Sequence, residues 1–186
     1  VTPDIEHGNT PVPELANQHD GYILFFGNLQ LYKGVHLLYE AYLTHPELQS
    51  RPLVIAGSGY IYFKQEDTGN GNITFINRYI DDSELKDLFS RAAVVVYPYI
   101  SATQSGVTSI ASYFGKPMVL SDLPFFKQTC EGCQGIHFYP TGDTEALATA
   151  IVRSLQSSGN TSELYQREYA PTAMREALES IIADLL

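Results

Sequence analysis

Residues 94–117 read VVVYPYISATQSGVTSIASYFGKP, and the interpretation of the whole chain turns on them. Val94, Val95, Val96 and Tyr97 form an apolar run of strand length, and Pro98, lacking an N–H, stops it from pairing further. Thr103, Gln104, Ser105 and Gly106 then lead into a helix whose apolar positions Val107, Ile110, Ala111 and Phe114 fall at i, i+3, i+4 and i+7. Such a strand-turn-helix aims unpaired backbone N–H groups and the positive end of the helix dipole at whatever lies above the strand end. Phosphate suits that place. A plain N-cap at Ser105 accounts for the same letters, so the rest of the chain must decide.

Working outward, short apolar strands alternate with amphipathic helices. Strands are expected at 22–27, 53–56, 73–76, 94–97, 117–121 and 135–139. Helices are expected at 34–43, 82–92 (Leu85, Leu88, Phe89 and Ala92 on one face), after Gly106, near Phe126 and over 143–154 with Asp143 as cap. The segment from Gly57 through Phe63 has no clear period. Pro171 separates the last two helical stretches, the final one carrying Met174, Ala177, Leu178, Ile181, Ile182 and Leu185 as a stripe. Residues 1–20, with Pro3, Pro11 and Pro13, read as a linker or terminal extension, and 21–186 as one domain. The alternation implies an α/β fold: a Rossmann-like, doubly wound parallel sheet of about six strands with helices on both faces. Ligands of such sheets bind beyond the carboxyl ends of the strands, where the strand order reverses.

The chain has 186 residues, 44% hydrophobic, enough for a full core. Lys and Arg total 11 against 21 Asp and Glu, a net charge of -10, which argues against nucleic acid as a partner. It also gives no help in holding an anionic membrane surface, so any peripheral membrane association is expected to run through another part of a longer protein. No apolar run approaches the roughly 20 residues of a membrane span, and no targeting signal is present, which points to a cytoplasmic protein. The chain starts at Val1, as a piece of a longer protein would. Cys130 and Cys133 form a C-x-x-C without a second ligand pair for zinc and away from the position a thioredoxin-like motif would take, so they read as loop thiols. No metal site or cofactor is expected. His36 and His137 lack the partners of a catalytic triad.

The loops after the strands carry the candidate ligand groups. Gly27 allows a sharp turn and Asn28 follows it, while Lys33 offers a point charge for a diphosphate; a surface lysine before a helix would have the same letters. Gly57-Ser58-Gly59 begins like a dinucleotide fingerprint but lacks the third glycine. Arg78 and Tyr79 are placed to frame a base or to lie exposed, and Asp81, Asp82 and Glu84 read as capping groups of the next helix.

Taken in order, these motifs resemble the C-terminal, nucleotide-sugar-binding half of a family GT4 glycosyltransferase (glycosyl transferases group 1) of the GT-B fold. The residues that carry the likeness are Phe25-Phe26-Gly27 with Lys33-Gly34, Leu53 to Gly59, Ile73-Thr74-Phe75 with Glu84-Leu85, Tyr97-Pro98, Phe114 to Val119, and Asp143 with Glu145 to Ala148. The likeness covers about 22–156. It implies a retaining, metal-independent transferase that takes a sugar from a nucleotide diphosphate sugar to a saccharide or lipid-linked saccharide. The acceptor would bind on an N-terminal domain absent from this chain, so the chain alone is expected to be inactive. Lys33 would be the catalytic cation at the leaving diphosphate, and Gly27, Asn28, Gly57, Gly59, Arg78, Tyr79, Thr103, Gln104, Ser105, Gly106 and Val107 would line the donor site. The family usually carries an arginine where Asn28 stands and two glutamates, in E-x7-E, where Ala102 and Ile110 stand. That departure keeps two other readings open: a degenerate, non-catalytic interaction module of the same fold, and a nucleotide-sugar epimerase, for which no acid and base pair is evident.

Overall fold

The computed structural model describes residues 9–65, 72–102 and 106–173. One six-stranded parallel sheet, in the order β3-β2-β1-β4-β5-β6, is built from β1 Tyr22–Phe26, β2 Leu53–Ala56, β3 Ile73–Ile76, β4 Ala92–Tyr97, β5 Met118–Ser121 and β6 Ile136–Tyr139. Strands β2 and β5 are buried along their whole length, which is why they read as unbroken apolar runs rather than alternating ones. The edge strands β3 and β6 are only half-buried until their last residue. Register is regular on both sides of the centre: Phe25 pairs with Ile55 and Ile55 with Phe75, while Val95 pairs with Met118 and Val119 with His137.

Helices α1 Val35–Thr44, α2 Asp82–Ser90, α3 Val107–Tyr113, α4 Pro124–Cys130, α5 Thr144–Gln156 and α6 Ser162–Glu168 cover the sheet. Right-handed crossovers from this strand order place α1 on one face and α2, α3 and α4 on the other. Packing agrees: α1 lies against α5, α3 lies against α6, and Phe89 of α2 stacks at 5.4 Å on Phe114 just beyond α3. Asp143 caps α5 as expected, accepting from the Ala146 N–H at 2.9 Å.

The structure corrects two boundaries. The helix expected at 82–92 ends at Ser90, and Ala92 instead opens β4, two residues before the expected start. Tyr22 pairs with Ala92 but Ile23 with Val94, so Ala93 is the extra residue of a bulge. Lys116 fixes this change of direction: its Nζ donates to the Ser90 and Ala92 carbonyls at 2.7 and 2.9 Å. The polar, proline-rich start of the chain also proves to be fastened to the domain from Thr10 to Asp20. Val12 and Leu15 are core residues, the Val12 N–H donates to Asp87, and Arg91 donates to the carbonyls of Leu15 and Gln18 and to Asp20. The expected C-terminal stripe from Met174 to Leu185 lies outside the described residues. Among the described residues, no helix is long and apolar enough to cross a membrane.

Candidate functional site

Strand β1 lies between β2 and β4, so chain connections diverge from it to opposite sides and leave a crevice at the carboxyl ends of β1 and β4. The loop after β1 enters this crevice as a 3₁₀ turn, Leu31–Lys33, that ends at Gly34 in the left-handed region, φ 65°. A Cβ at Gly34 would stand 1.9 Å from the Pro98 carbonyl oxygen. Glycine is therefore required for the β4 loop to approach. The Ile100 N–H donates to the Tyr32 carbonyl at 2.7 Å, tying the two loops together.

Lys33 sits at their meeting point. It is 8% exposed, and among the described residues it has neither a hydrogen-bond acceptor nor a carboxylate partner. Its Nζ stands 5.1 Å from the centroid of the Tyr99 ring and 5.8 Å from that of Tyr32. A Cβ on Gly27 would come within 3.0 Å of the same Nζ. Burial pulls the Lys33 pKa below its ordinary value, as expected when an ammonium loses water without gaining a counter-charge. Such a group invites an anion.

The loop glycines have a second explanation. Gly27 donates to the Ala56 carbonyl, Gly57 to that of Ile76, and Leu29 to that of Ser58, while Leu29 and Gly59 form a further parallel bridge. A Cβ on Gly57, whose φ is +141°, would lie 2.1 Å from the Gly27 carbonyl oxygen. The Gly-Ser-Gly motif thus lets the β1 and β2 loops run side by side. Asn28 is exposed and accepts from Ser58 Oγ at 3.4 Å. Asn77 accepts from the Gly59 N–H at 3.1 Å; sequence reading missed this role because a single asparagine after a strand has no distinguishing pattern.

Arg78 is engaged by two carboxylates. Its guanidinium donates to Glu14 from Nε and Nη2, at 2.8 and 2.9 Å, and to Glu84 from Nη1 and Nη2, at 2.8 and 2.7 Å. Glu84 also accepts from the Asp81 N–H at 3.0 Å, the capping arrangement expected at the start of α2. Hydrogen bonds from Arg78 hold both Glu14 and Glu84 below the ordinary carboxylate value, and those bonds raise Arg78 itself. Tyr79 is 71% exposed beside it.

Thr103, Gln104 and Ser105 lie outside the described residues. Gly106 is exposed and precedes α3, and among the described residues no atom stands where a side chain on it would reach. The Val107 carbonyl accepts from Tyr97 Oη at 3.0 Å. Ala102 and Ile110 are both half-buried against the core. Helix α3 turns Thr108, Ala111 and Ser112 inward, so Ile110 sits at the margin of the buried face rather than at its centre. Away from the crevice, Cys130 and Cys133 are free thiols. Burial, with the neighbouring Cys133 adding to it, pushes the Cys130 thiol up to about 12.

The family profile described as "Glycosyl transferases group 1" matches residues 20–157. The O-antigen chain mannosyltransferase C of Escherichia coli is 26% identical over 174 residues, which are 87% of this chain and 44% of that protein. The chain therefore spans less than half the length of this curated relative. Among solved structures, sucrose-phosphate synthase from Thermosynechococcus elongatus superposes with a TM-score of 0.72 at 22% identity, covering 94% of this chain and 49% of that one. Anabaena Alr3699/HepE, solved with UDP-glucose, gives 0.68 at 17% identity over 88% and 49% of the two chains. At these identities the likeness is one of fold: the sheet and its helices match the C-terminal half of GT-B structures.

Proposed function

Because this chain belongs to the glycosyl transferases group 1 family, we propose that it is the donor half of a transferase that moves a sugar from a nucleotide diphosphate sugar to a saccharide or lipid-linked saccharide. One observation carries the reading: a buried Lys33 ammonium without an ion pair among the described residues, at the strand-order switch point beside Gly27. In the proposed reaction Lys33 neutralises charge building on the leaving diphosphate, an electrostatic contribution made without a metal. Backbone N–H groups around Gly106 and Val107 and the side chains of Thr103, Gln104 and Ser105 complete the anion's surroundings. Gly27, Gly57 and Gly59 let the nucleotide approach the backbone, and Asn28 and Tyr79 border it. Ala102 and Ile110 offer no carboxylate, so the ribose and the sugar are held by Thr103, Gln104 and main chain. The sugar is transferred with retention of configuration, and the acceptor binds on a second half outside residues 1–186.

The mannosyltransferase likeness and the UDP-glucose bound by the Anabaena protein support a sugar-nucleotide ligand. Calorimetry with UDP, GDP and ADP tests it. The chain binds at least one of them weakly, Lys33→Ala abolishes that binding, and the chain alone transfers no sugar. Absence of binding to the longer two-domain protein would replace this reading with the non-catalytic module.

A further inference from the structure

A cation buried at a ligand crevice must be held in place by something, and the usual device is a carboxylate. Around Lys33 the described residues place two tyrosine rings instead. We propose that Tyr99, assisted by Tyr32, is a positioning residue: its ring seats the Lys33 ammonium at the crevice and thereby sets how tightly the chain grips a ligand's diphosphate. The role in ligand binding rests on the donor-half reading above; the seat itself does not.

The physical case is one of charge. A carboxylate would orient the ammonium but cancel its field, leaving little to attract a dianion. An aromatic face attracts a cation through its quadrupole and carries no net charge. Both rings lie within the roughly 6 Å over which that attraction matters. Tyr99 is also immobilised. It is buried, its ring meets Phe126 at 5.4 Å and Tyr97 at 6.0 Å, and it stands edge-to-face with Tyr32 at 6.0 Å and 89°. The two rings arrive from different loops, after β1 and after β4, and the Ile100 to Tyr32 hydrogen bond together with the bare Cα of Gly34 keeps those loops in contact. The position of Lys33 is thus coupled to the β4 loop, the segment that runs on toward Gly106.

The test separates the ring's electrostatics from its volume. Tyr99→Leu keeps an apolar side chain but removes the π face, whereas Tyr99→Phe keeps the face and removes only the hydroxyl. The chain labelled with 13Cε-lysine is titrated by NMR, with Lys64, Lys86, Lys116 and Lys127 as internal references. In Tyr99→Leu the Lys33 midpoint falls by about half a pKa unit or more, and in Tyr99→Phe it stays at the wild-type value. Tyr32→Leu, at a more exposed ring, lowers it in the same direction by less, and serves if Tyr99→Leu does not fold. Calorimetry with UDP then shows about three- to tenfold weaker binding for the leucine variant and recovery for the phenylalanine variant. A Lys33 midpoint unmoved in the leucine variants overturns the seat. If the wild-type chain binds none of UDP, GDP and ADP, the donor reading falls for this chain while the titration still decides the seat.

Discussion

Replacing Arg78 by methionine tests whether its guanidinium is a structural clamp or a ligand group. The clamp joins Glu14, in the segment before β1, to Glu84 in the first turn of α2, through four N–H···O contacts between 2.7 and 2.9 Å. The two arms differ in worth. Glu14 and Arg78 are each 34% exposed, so that pair is a screened surface interaction worth about 1 kcal/mol at most. The Glu84 side chain is only 6% exposed, and removing its partner leaves a buried carboxylate with the Asp81 N–H as its remaining donor, at about 2–3 kcal/mol once solvent access to Arg78 is discounted. Arg78→Met should therefore lower unfolding free energy by about 3 kcal/mol, equivalent to a fall in Tm of about 6–12 °C for a domain of this size. Glu14→Gln should cost no more than about 1 kcal/mol.

Urea unfolding of the wild type, Arg78→Met, Glu14→Gln and the double variant checks both values and their coupling. The pH dependence carries the same signature. Both glutamates are depressed in the folded state by Arg78, so their contribution is complete above the unfolded carboxylate value of about 4.5 and is lost as pH falls below it. In Arg78→Met that acid-side slope should shrink. UDP affinity per folded molecule should be unchanged. A variant as stable as the wild type within about 0.5 kcal/mol, or one fully folded but deaf to UDP, would refute the clamp and return Arg78 to the ligand site.

Three further outcomes are expected. Gly34→Ala combines a left-handed backbone, at about 1–2 kcal/mol, with a collision against the Pro98 carbonyl; thermal unfolding should show a loss of about 3 kcal/mol or more, together with weaker UDP binding as the two loops part. Lys116→Met removes two hydrogen bonds to the Ser90 and Ala92 carbonyls and relieves the burial that lowers the Lys116 pKa, for a net loss of about 1–2 kcal/mol in urea titration. His45 joins α1 to α5. Burial works to lower its pKa, but the Glu145 hydrogen bond, the Ala41 carbonyl and nearby acidic charge outweigh that and raise it. The stability difference between wild type and His45→Gln should be fully present below the unfolded value of about 6.5 and fade as pH rises through the raised folded value, by about 0.5 kcal/mol since Glu145 is exposed.

The sheet was legible because parallel strands covered on both faces have nowhere to put polar residues, so 53–56 and 94–97 stood out as apolar runs. Boundaries failed where tertiary contacts overrule local pattern. Nothing in Arg91-Ala92-Ala93 signals a strand; pairing with Tyr22 and the reach of Lys116 to two carbonyls create one. Val12 and Leu15 were hidden among prolines and polar residues, since the few apolar letters scattered through the first twenty residues sustain no period. Lys33 could be picked out as a cation following a first-strand glycine. Its surroundings could not, because Tyr32 and Tyr99 meet only when β1 and β4 lie side by side, and Arg78's carboxylates come from opposite ends of the sequence-distant pair Glu14 and Glu84.

Charge balance links these findings. For a chain of net charge -10, the proposed diphosphate binding would work against its own long-range field, so the attraction would have to be local and poorly screened. The Arg78 charge is met by two glutamates, and Asn28 brings no charge. Lys33 is left as the cation of the crevice among the described residues, and no carboxylate among them offsets its charge. Burial raises the strength of its field at a bound phosphate, and the same burial lowers its pKa. The two effects set a limit on each other: a deeper lysine would attract more strongly until it lost its proton. Aromatic faces move that limit, since they favour the protonated form without supplying an anion.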